Sequence, residues 1–335
     1  MAIRVNPSIY DVAAKAGVSI GTVSNYLNNK MKAGSPTYEK IRQAILELDY
    51  VPHGNAGSKR SRQIGRIGVL SPFQMTPSFN LRLQGIAQVL VPANCEIILY
   101  SVTKKNMLNG YFHSIPLAKR LDGLILAALN ISDTEMEYLH QSGLPVVSIE
   151  QPIPRFSSIE CDNLYAGGLA AELFARKGYL PCGYIGEVDS DEPYQLNLRD
   201  QRLEGFRNAL AALNHPLQDE HVLLGSGTME DAERMAGEML SRRNRPRAIF
   251  AYSDLMAFGI LRAAHRLGLR VPEDVAILGF DDIEAANYIG MSTINQSLLE
   301  SGRIAAELLM QKILEPSRPE QKINLIPSIV ERETT

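Results

Sequence analysis

The chain has 335 residues, 45% of them hydrophobic and 21% charged, enough to bury a sizeable core and to build two or three domains. It lacks any run of roughly 18 apolar residues that would cross a membrane and any apolar leader before a cleavage site; its three cysteines, Cys95, Cys161 and Cys182, have no CxxC spacing, which argues against disulfides or zinc and for a cytoplasmic setting. The net charge of -3 is divided unevenly, with ten Lys/Arg against four Asp/Glu in residues 1–66 and 24 against 33 in the rest, so a basic head precedes an acidic body and a polyanion is its expected partner, a solvated basic face being the blander account.

In chain order, Ile9, Val12, Ala13 and Ala16 recur at helical spacing, with Ser8 as cap and Gly17 as stop. Ser19 caps a second short helix from Ile20 to about Leu27, where Val23 and Leu27 share a face that Gly21, Thr22, Ser24 and Asn25 do not. Ser35-Pro36 announces a third helix, whose Ile41, Ile45 and Leu48 would cover the first two. Three short helices with a Gly-containing turn fit a helix-turn-helix unit, which needs a second helix with a small, polar outer face to enter the major groove. An arbitrary three-helix bundle would show the same periodicities.

The stretch IYDVAAKAGVSIGTVSNYLN (residues 9–28) resembles the N-terminal reading head of the lactose- and galactose-repressor (LacI/GalR) family, which runs I-x-D-V-A-x-x-A-G-V-S-x-x-T-V-S-R-x-L-N. The resemblance implies base-edge contacts at Ile20, Gly21 and Asn25, and phosphate or groove-wall contacts at Ser8, Tyr10, Ser19, Thr22, Ser24 and Asn28. Hydroxyls and amides suit phosphate oxygens, and an Asn amide pairs with adenine. Asn25 stands where many relatives have Arg, so bidentate guanine reading is lost there.

Residues 52–62, PHGNAGSKRSR, contain no large apolar side chain. In the family this segment is a hinge that folds into a helix on DNA and wedges a Leu into the minor groove. Tyr50, Pro52 and Ala56 keep that frame, while His53 replaces Asn, Gly57 replaces Arg and Lys59 occupies the wedge position. His53, Ala56 and Lys59 are therefore expected on DNA, in a hinge that binds chiefly by charge, through Lys59, Arg60, Arg62 and Arg66, and kinks the duplex weakly.

Beyond residue 66, short β-rich runs (RIGVLSP, CEIILYSV, DGLILAA, PVVSIE, SSIEC, PCGYIG, PRAIFAY, EDVAILGF) alternate with amphipathic stretches such as LRLQGIAQVLV and LMAFGILRAAHRLG. Alternation of this kind is an α/β pattern with parallel strands, and the units are too many for one small sheet, so two doubly wound lobes are expected. Ligands bind such sheets at the carboxyl ends of strands. Glu150, Ser253, Asp254, Asp281 and Asp282 all follow strand-like runs; singly each is more often a cap or a solvated group, but they share one placement.

GLPVVSIE, RLEGF, AYSDLMAFGILRAAHRLGLRVPEDVAILGFDD and IPSIVERETT are similar to landmarks of the same family's periplasmic-binding-protein-like core, extending the resemblance over essentially the whole chain. It implies a head over 1–50, a hinge over 51–66, an N-terminal lobe over 67–162 plus about 297–322, and a C-terminal lobe over 163–296 plus about 323–335. It implies effector contacts at Thr76, Ser78 and Phe79 in a loop after the first strand, and at Glu150, Arg202, Ser253, Asp254 and Asp281. Carboxylates and a guanidinium suit a sugar or sugar derivative. Ser253 replaces the commoner Asn, Glu150 the usual Asp, and Gly227 an aromatic platform, so the pocket is expected to be roomier or differently specific.

The six histidines lack HExxH spacing, and the GSGT of residues 225–228 lacks the Lys of a phosphate loop and reads as a turn. Met235, Met239 and Leu240 are spaced as a buried helix face. No cofactor and no metal are expected. The reading is a homodimeric, DNA-binding transcription regulator, a repressor, acting at a near-palindromic operator under a small-molecule, carbohydrate effector, with no membrane partner. A solute-binding protein of a transport or sensing system shares the two-lobed core but has no use for the head; an enzyme would need a nucleophile, metal or acid–base pair that does not stand out.

Overall fold

The structure is a computed structural model that describes residues 8–27, 31, 34–48, 50, 65–72, 76–102, 108, 110–112, 121–188 and 198–335. Two compact units divide the chain, Met1–Gln63 and Ile64–Thr335. Asn28, His53, Ala56 and Lys59, with nearly all of the expected hinge, lie outside the described residues.

In the first unit α1 (Ile9–Ala16), α2 (Ile20–Leu27) and α3 (Pro36–Leu48) follow the apolar spacing. Asp11 accepts from the N–H of Ser8 at 2.7 Å and its hydroxyl at 2.6 Å, fixing the start of α1. Gly17 ends it with φ 66°, a left-handed turn that favours glycine. Val12, Val23 and Ile41 are fully buried among Ala13, Ala16 and Ala44. Lys15 and Glu47 tie α1 to α3 at 2.8 Å. These contacts give a three-helix core into which the short second helix sends Val23, with Tyr26 and Leu27 packed beside it.

The second unit holds two all-parallel sheets. The first is formed by β1 (Arg66–Pro72), β2 (Glu96–Val102), β3 (Gly123–Ala127), β4 (Val146–Ile149), β5 (Ser157–Cys161) and β11 (Lys322–Leu325), in the order β11-β5-β4-β3-β1-β2. The second is formed by β6 (Cys182–Glu187), β7 (Val222–Gly225), β8 (Ala248–Ala251) and β9 (Ala276–Leu278), in the order β7-β6-β8-β9. An antiparallel pair, β10 (Thr293–Asn295) with β12 (Ser328–Val330), completes that lobe. The runs that form the central strands are apolar throughout rather than alternating because helices cover both faces.

Two boundaries differ from the sequence expectation. β1 starts at Arg66, as the run RIGVLSP predicts but one residue inside the expected hinge, and its guanidinium pairs with Glu96 at 2.8 Å in the same sheet. β11 pairs with β5 from Lys322↔Ser158 to Leu325↔Cys161, so the last crossing between lobes follows Leu325 instead of residue 322.

Each lobe is closed by a pair of helices packed backbone to backbone. In the first lobe, α4 (Pro77–Leu90) meets α11 (Leu298–Leu314), and a Cβ at Gly85 would lie 1.9 Å from the Leu299 carbonyl oxygen. In the second, α6 (Asn163–Lys177) meets α7 (Leu198–Ala212), and a Cβ at Gly205 would lie 2.0 Å from the Leu164 oxygen. Ile67, Ile86, Ile125 and Leu309 fill the core beneath the first pair. Phe174, Tyr184, Phe206 and Phe250 fill the core beneath the second. Met235, Met239 and Leu240 are buried on α8 (Met229–Leu240), which packs with α9 (Asp254–Arg266) on the other face of that sheet.

Candidate functional site

Because both sheets are parallel, their strands end on one side, and those ends line a shared cavity of about 440 Å³. The first lobe contributes the end of β1, the first turn of α4, Ala127 at the end of β3 and Ala128 after it, and Glu150 after β4. The second contributes Glu187 of β6, Ser226–Thr228 after β7, and Tyr252 and Ser253 after β8. Asp281, just past β9, completes that side.

Thr76 is the N-cap of α4, accepting from the Phe79 N–H at 3.4 Å, and its hydroxyl meets that of Ser78 at 3.0 Å. Pro77–Phe79 is thus helix rather than the expected loop, since a cap followed by proline starts a helix. All three expected residues, Thr76, Ser78 and Phe79, border the cavity, Phe79 with most of its ring in the core.

Glu150 adopts φ 73°, a left-handed conformation in which its N–H still bonds the Ile159 oxygen at 2.8 Å while its side chain turns to the cleft. There it pairs with Arg82 of α4. Arg82 also reaches Gln296 Oε1 at 3.4 Å, and Gln296 in turn donates from Nε2 to Asp281 Oδ1 at 2.5 Å. The four side chains form a polar floor that runs from the first lobe to the second.

Arg202 sits 3.6 Å above the Phe280 ring and 4.6 Å from that of Tyr252. Its Nε donates to Asn163 Oδ1 at 2.7 Å and one Nη to the Tyr252 carbonyl at 2.8 Å. Five donors leave it further N–H groups for the cavity it lines. Burial pushes the Asp281 carboxyl up to about 6, against the opposing pull of Arg202 and Arg82.

Asp254 departs from the expectation. It is fully buried and does not border the cavity; its carboxylate accepts from the Ile283 N–H at 2.9 Å and the Thr293 hydroxyl at 2.6 Å. Lying at the first position of α9, one residue past the cap Ser253, it points inward to tie together the segments after β9 and at β10. Burial, and then the charge of Asp281, push it well above the usual carboxylate range. Ser253 does border the cavity, with its hydroxyl accepting from the Met256 N–H at 3.3 Å. Asp282 likewise turns away, to Arg332 at 2.7 Å.

Arg82, Gln296, Glu187 and Tyr252 escaped the sequence reading. Arg82 is a lone cation inside an amphipathic run, and Gln296 becomes a site residue only because the chain crosses between lobes there. The GSGT turn had a legible signal: VLLG is a strand, and Thr228 caps the helix that follows by accepting from the Asp231 N–H at 3.2 Å. Gly227, at φ 76°, borders the cavity, and a Cβ there would lie 2.8 Å from Glu187 Cδ.

On the head, Tyr10, Ser19, Ile20, Gly21 and Asn25 are exposed, while Ser8, Thr22 and Ser24 are half-buried. The Ser19 and Thr22 hydroxyls lie 2.8 Å apart at the start of α2, and the Thr22 N–H donates to Ser19 Oγ at 3.2 Å. Gly21 and Asn25 therefore lie on the side of α2 opposite the buried Val23, and Ile20 is exposed at the first position of the helix.

Residues 8–53 match the model of bacterial regulatory proteins of the lacI family, and residues 171–335 match that of the periplasmic binding protein-like domain. The HTH-type transcriptional repressor PurR of Serratia proteamaculans (strain 568) is 29% identical over 333 residues, 97% of this chain and 96% of that protein. The ribose operon repressor of Escherichia coli (strain K12) is 29% identical over 328 residues, 96% and 98% of the two chains. Among solved structures, the transcriptional regulator CelR in complex with cellobiose superposes with a TM-score of 0.72 at 27% identity, covering 98% of this chain and all of that one.

Proposed function

This chain belongs to the lacI family of bacterial regulatory proteins, and from that membership we propose that it is a homodimeric repressor released from or recruited to its operator by a carbohydrate held in the interlobe cleft. Sequence-specific DNA binding under control of a small-molecule effector is the activity of the family. The single observation that supports a carbohydrate is the cleft floor, where Glu150 and Asp281 offer acceptors and Arg82 and Arg202 offer donors around a cavity of about 440 Å³. Alternating donors and acceptors match the hydroxyls of a polyol, and Phe79 and Tyr252 supply apolar surface for a ring face. The names of two relatives point the same way, to ribose and cellobiose.

On the head, Ile20, Gly21 and Asn25 read base edges, and Ser8, Tyr10, Ser19, Thr22, Ser24 and Asn28 meet phosphate or groove wall. His53, Ala56 and Lys59 contact DNA from the hinge. Two heads of a dimer meet two half-sites of a near-palindromic operator, and the protein works where that DNA is, in the cytoplasm. The effector biases the dimer between two states by no more than its difference in affinity for them.

The experiment is titration of labelled operator by the full chain, repeated over a salt series and with sugars added. A steep fall of affinity with salt and a sugar-dependent shift are expected. Binding of operator and scrambled duplex with equal affinity would refute the specific reading, and an operator affinity that no sugar changes would refute the carbohydrate.

A further inference from the structure

Arg82 raises a question the family pattern did not: why a guanidinium is placed in the cleft floor and then paired. Its side chain is 6% exposed and that of Glu150 is 12% exposed, so the ion pair is shielded from water. The bonds to Glu150 and Gln296 both leave from Nη2, and Nε, also buried, has no acceptor among the described residues. The guanidinium is thus held by one corner. Its backbone is fixed, since Gly302 of α11 faces the Arg82 carbonyl with room for no Cβ.

The charges around it have a definite balance. Among the described residues, Arg82 and Arg202 border the cavity with Glu150, Glu187, Glu230 and Asp281, two cations against four carboxylates. A ligand carrying a phosphate or carboxylate would enter a cavity whose cations are outnumbered, and the guanidinium nearest the floor is already neutralised by Glu150. An uncharged ligand meets no such opposition and brings the acceptor oxygens that a part-satisfied guanidinium lacks.

We infer that Arg82 and Glu150 act together as the specificity-determining pair of the cleft: Arg82 donates to a hydroxyl or ring oxygen of an uncharged polyol, and Glu150, by cancelling the guanidinium charge, excludes phosphorylated and acidic sugars. The inference rests on the carbohydrate reading of the same cleft and narrows it to neutral compounds.

Calorimetric titration of the full chain tests it, with neutral mono- and disaccharides that include ribose, glucose and cellobiose set against ribose 5-phosphate, glucuronate and cellobiose 6′-phosphate. The wild type is expected to bind a neutral member at least tenfold more tightly than its anionic counterpart. Arg82→Lys keeps the charge opposite Glu150 but removes the Nε–H and the planar fork, and is expected to weaken the neutral sugar at least tenfold. Glu150→Gln leaves the guanidinium charge uncancelled, and the anionic counterpart is expected to gain at least tenfold relative to the neutral one. Tighter wild-type binding of an anionic sugar overturns the inference, as does an unchanged neutral affinity in Arg82→Lys, and both leave the carbohydrate reading standing. Heat from no member of the panel overturns that reading and the inference with it.

Discussion

Gly302 faces the carbonyl of Arg82 so closely that a Cβ on it would lie 2.0 Å from that oxygen. The contact holds α4 against α11 and sets where Arg82 enters the cleft. A methyl group cannot be accommodated against backbone, so Gly302→Ala must push the helices apart. The expected cost is about 1–3 kcal/mol of stability, as for other overpacked cores, with weaker sugar binding because Arg82 and Glu150 lose register. Gly237 of α8 has nothing within 4 Å of its Cβ position, and Gly237→Ala should instead stabilise by about 0.5–1 kcal/mol through helix propensity. Chemical denaturation of the two variants checks the opposite signs.

Asp254 should control stability with pH rather than ligand affinity. Its folded-state carboxyl lies near 8, raised from an ordinary 3.8 chiefly by burial. The native state therefore holds a proton that the unfolded chain has released; the stabilisation is fully present below the ordinary value and is lost as pH rises toward about 8, by at most about 1.4 kcal/mol per unit. Melting temperatures from pH 5 to 9 are expected to fall less for Asp254→Asn than for the wild type. A slope identical in the two proteins would place the titration elsewhere.

Asp281 should instead link pH to the effector. Its carboxyl is raised to about 6, mainly by burial, and the ionised form is the better acceptor for a sugar hydroxyl. Lowering the pH from 7 to 5 therefore removes most of that form and is expected to weaken binding by up to about tenfold. Asp281→Asn should bind more weakly at pH 7 and lose this dependence, which titrations at the two pH values would reveal.

Asn25 is exposed on α2, away from the buried Val23. In its proposed role as a base-reading amide it should contribute to discrimination rather than to the electrostatic part of binding. Asn25→Ala is expected to narrow the gap between operator and single-base variants by about 1–3 kcal/mol. The slope of log affinity against log salt should stay unchanged, because no phosphate charge was neutralised by the amide.

The hinge prediction rests on the sequence. Lys59 occupies the position at which the family inserts an apolar wedge, and Gly54 and Gly57 each weaken helix formation by about 1 kcal/mol relative to Ala. Lys59→Leu should increase the bend of operator DNA in circular-permutation electrophoresis. Equal bending by both proteins would count against a charge-dominated hinge.

The sequence by itself determined the elements and the kind of protein. Val12, Val23 and Ile41 announced a three-helix head because helical spacing commits those side chains to one core. Runs such as DGLILAA announced parallel strands because a strand covered on both faces must be apolar throughout. Residues just past the strands were legible as site candidates, and Glu150, Ser253 and Asp281 border the cavity accordingly. What only the tertiary structure decided was which polar groups face that cavity. Asp254 sits next to Ser253, yet it is the first residue of the helix that Ser253 caps, and its carboxylate turns into the core. Arg82, Gln296 and Gly227 are separated by 69 residues or more in the chain, and they share one cleft because crossings between the lobes bring distant strand ends together. Local periodicity encodes burial, but the direction a charge faces and the partner it meets depend on long-range packing that no short stretch contains.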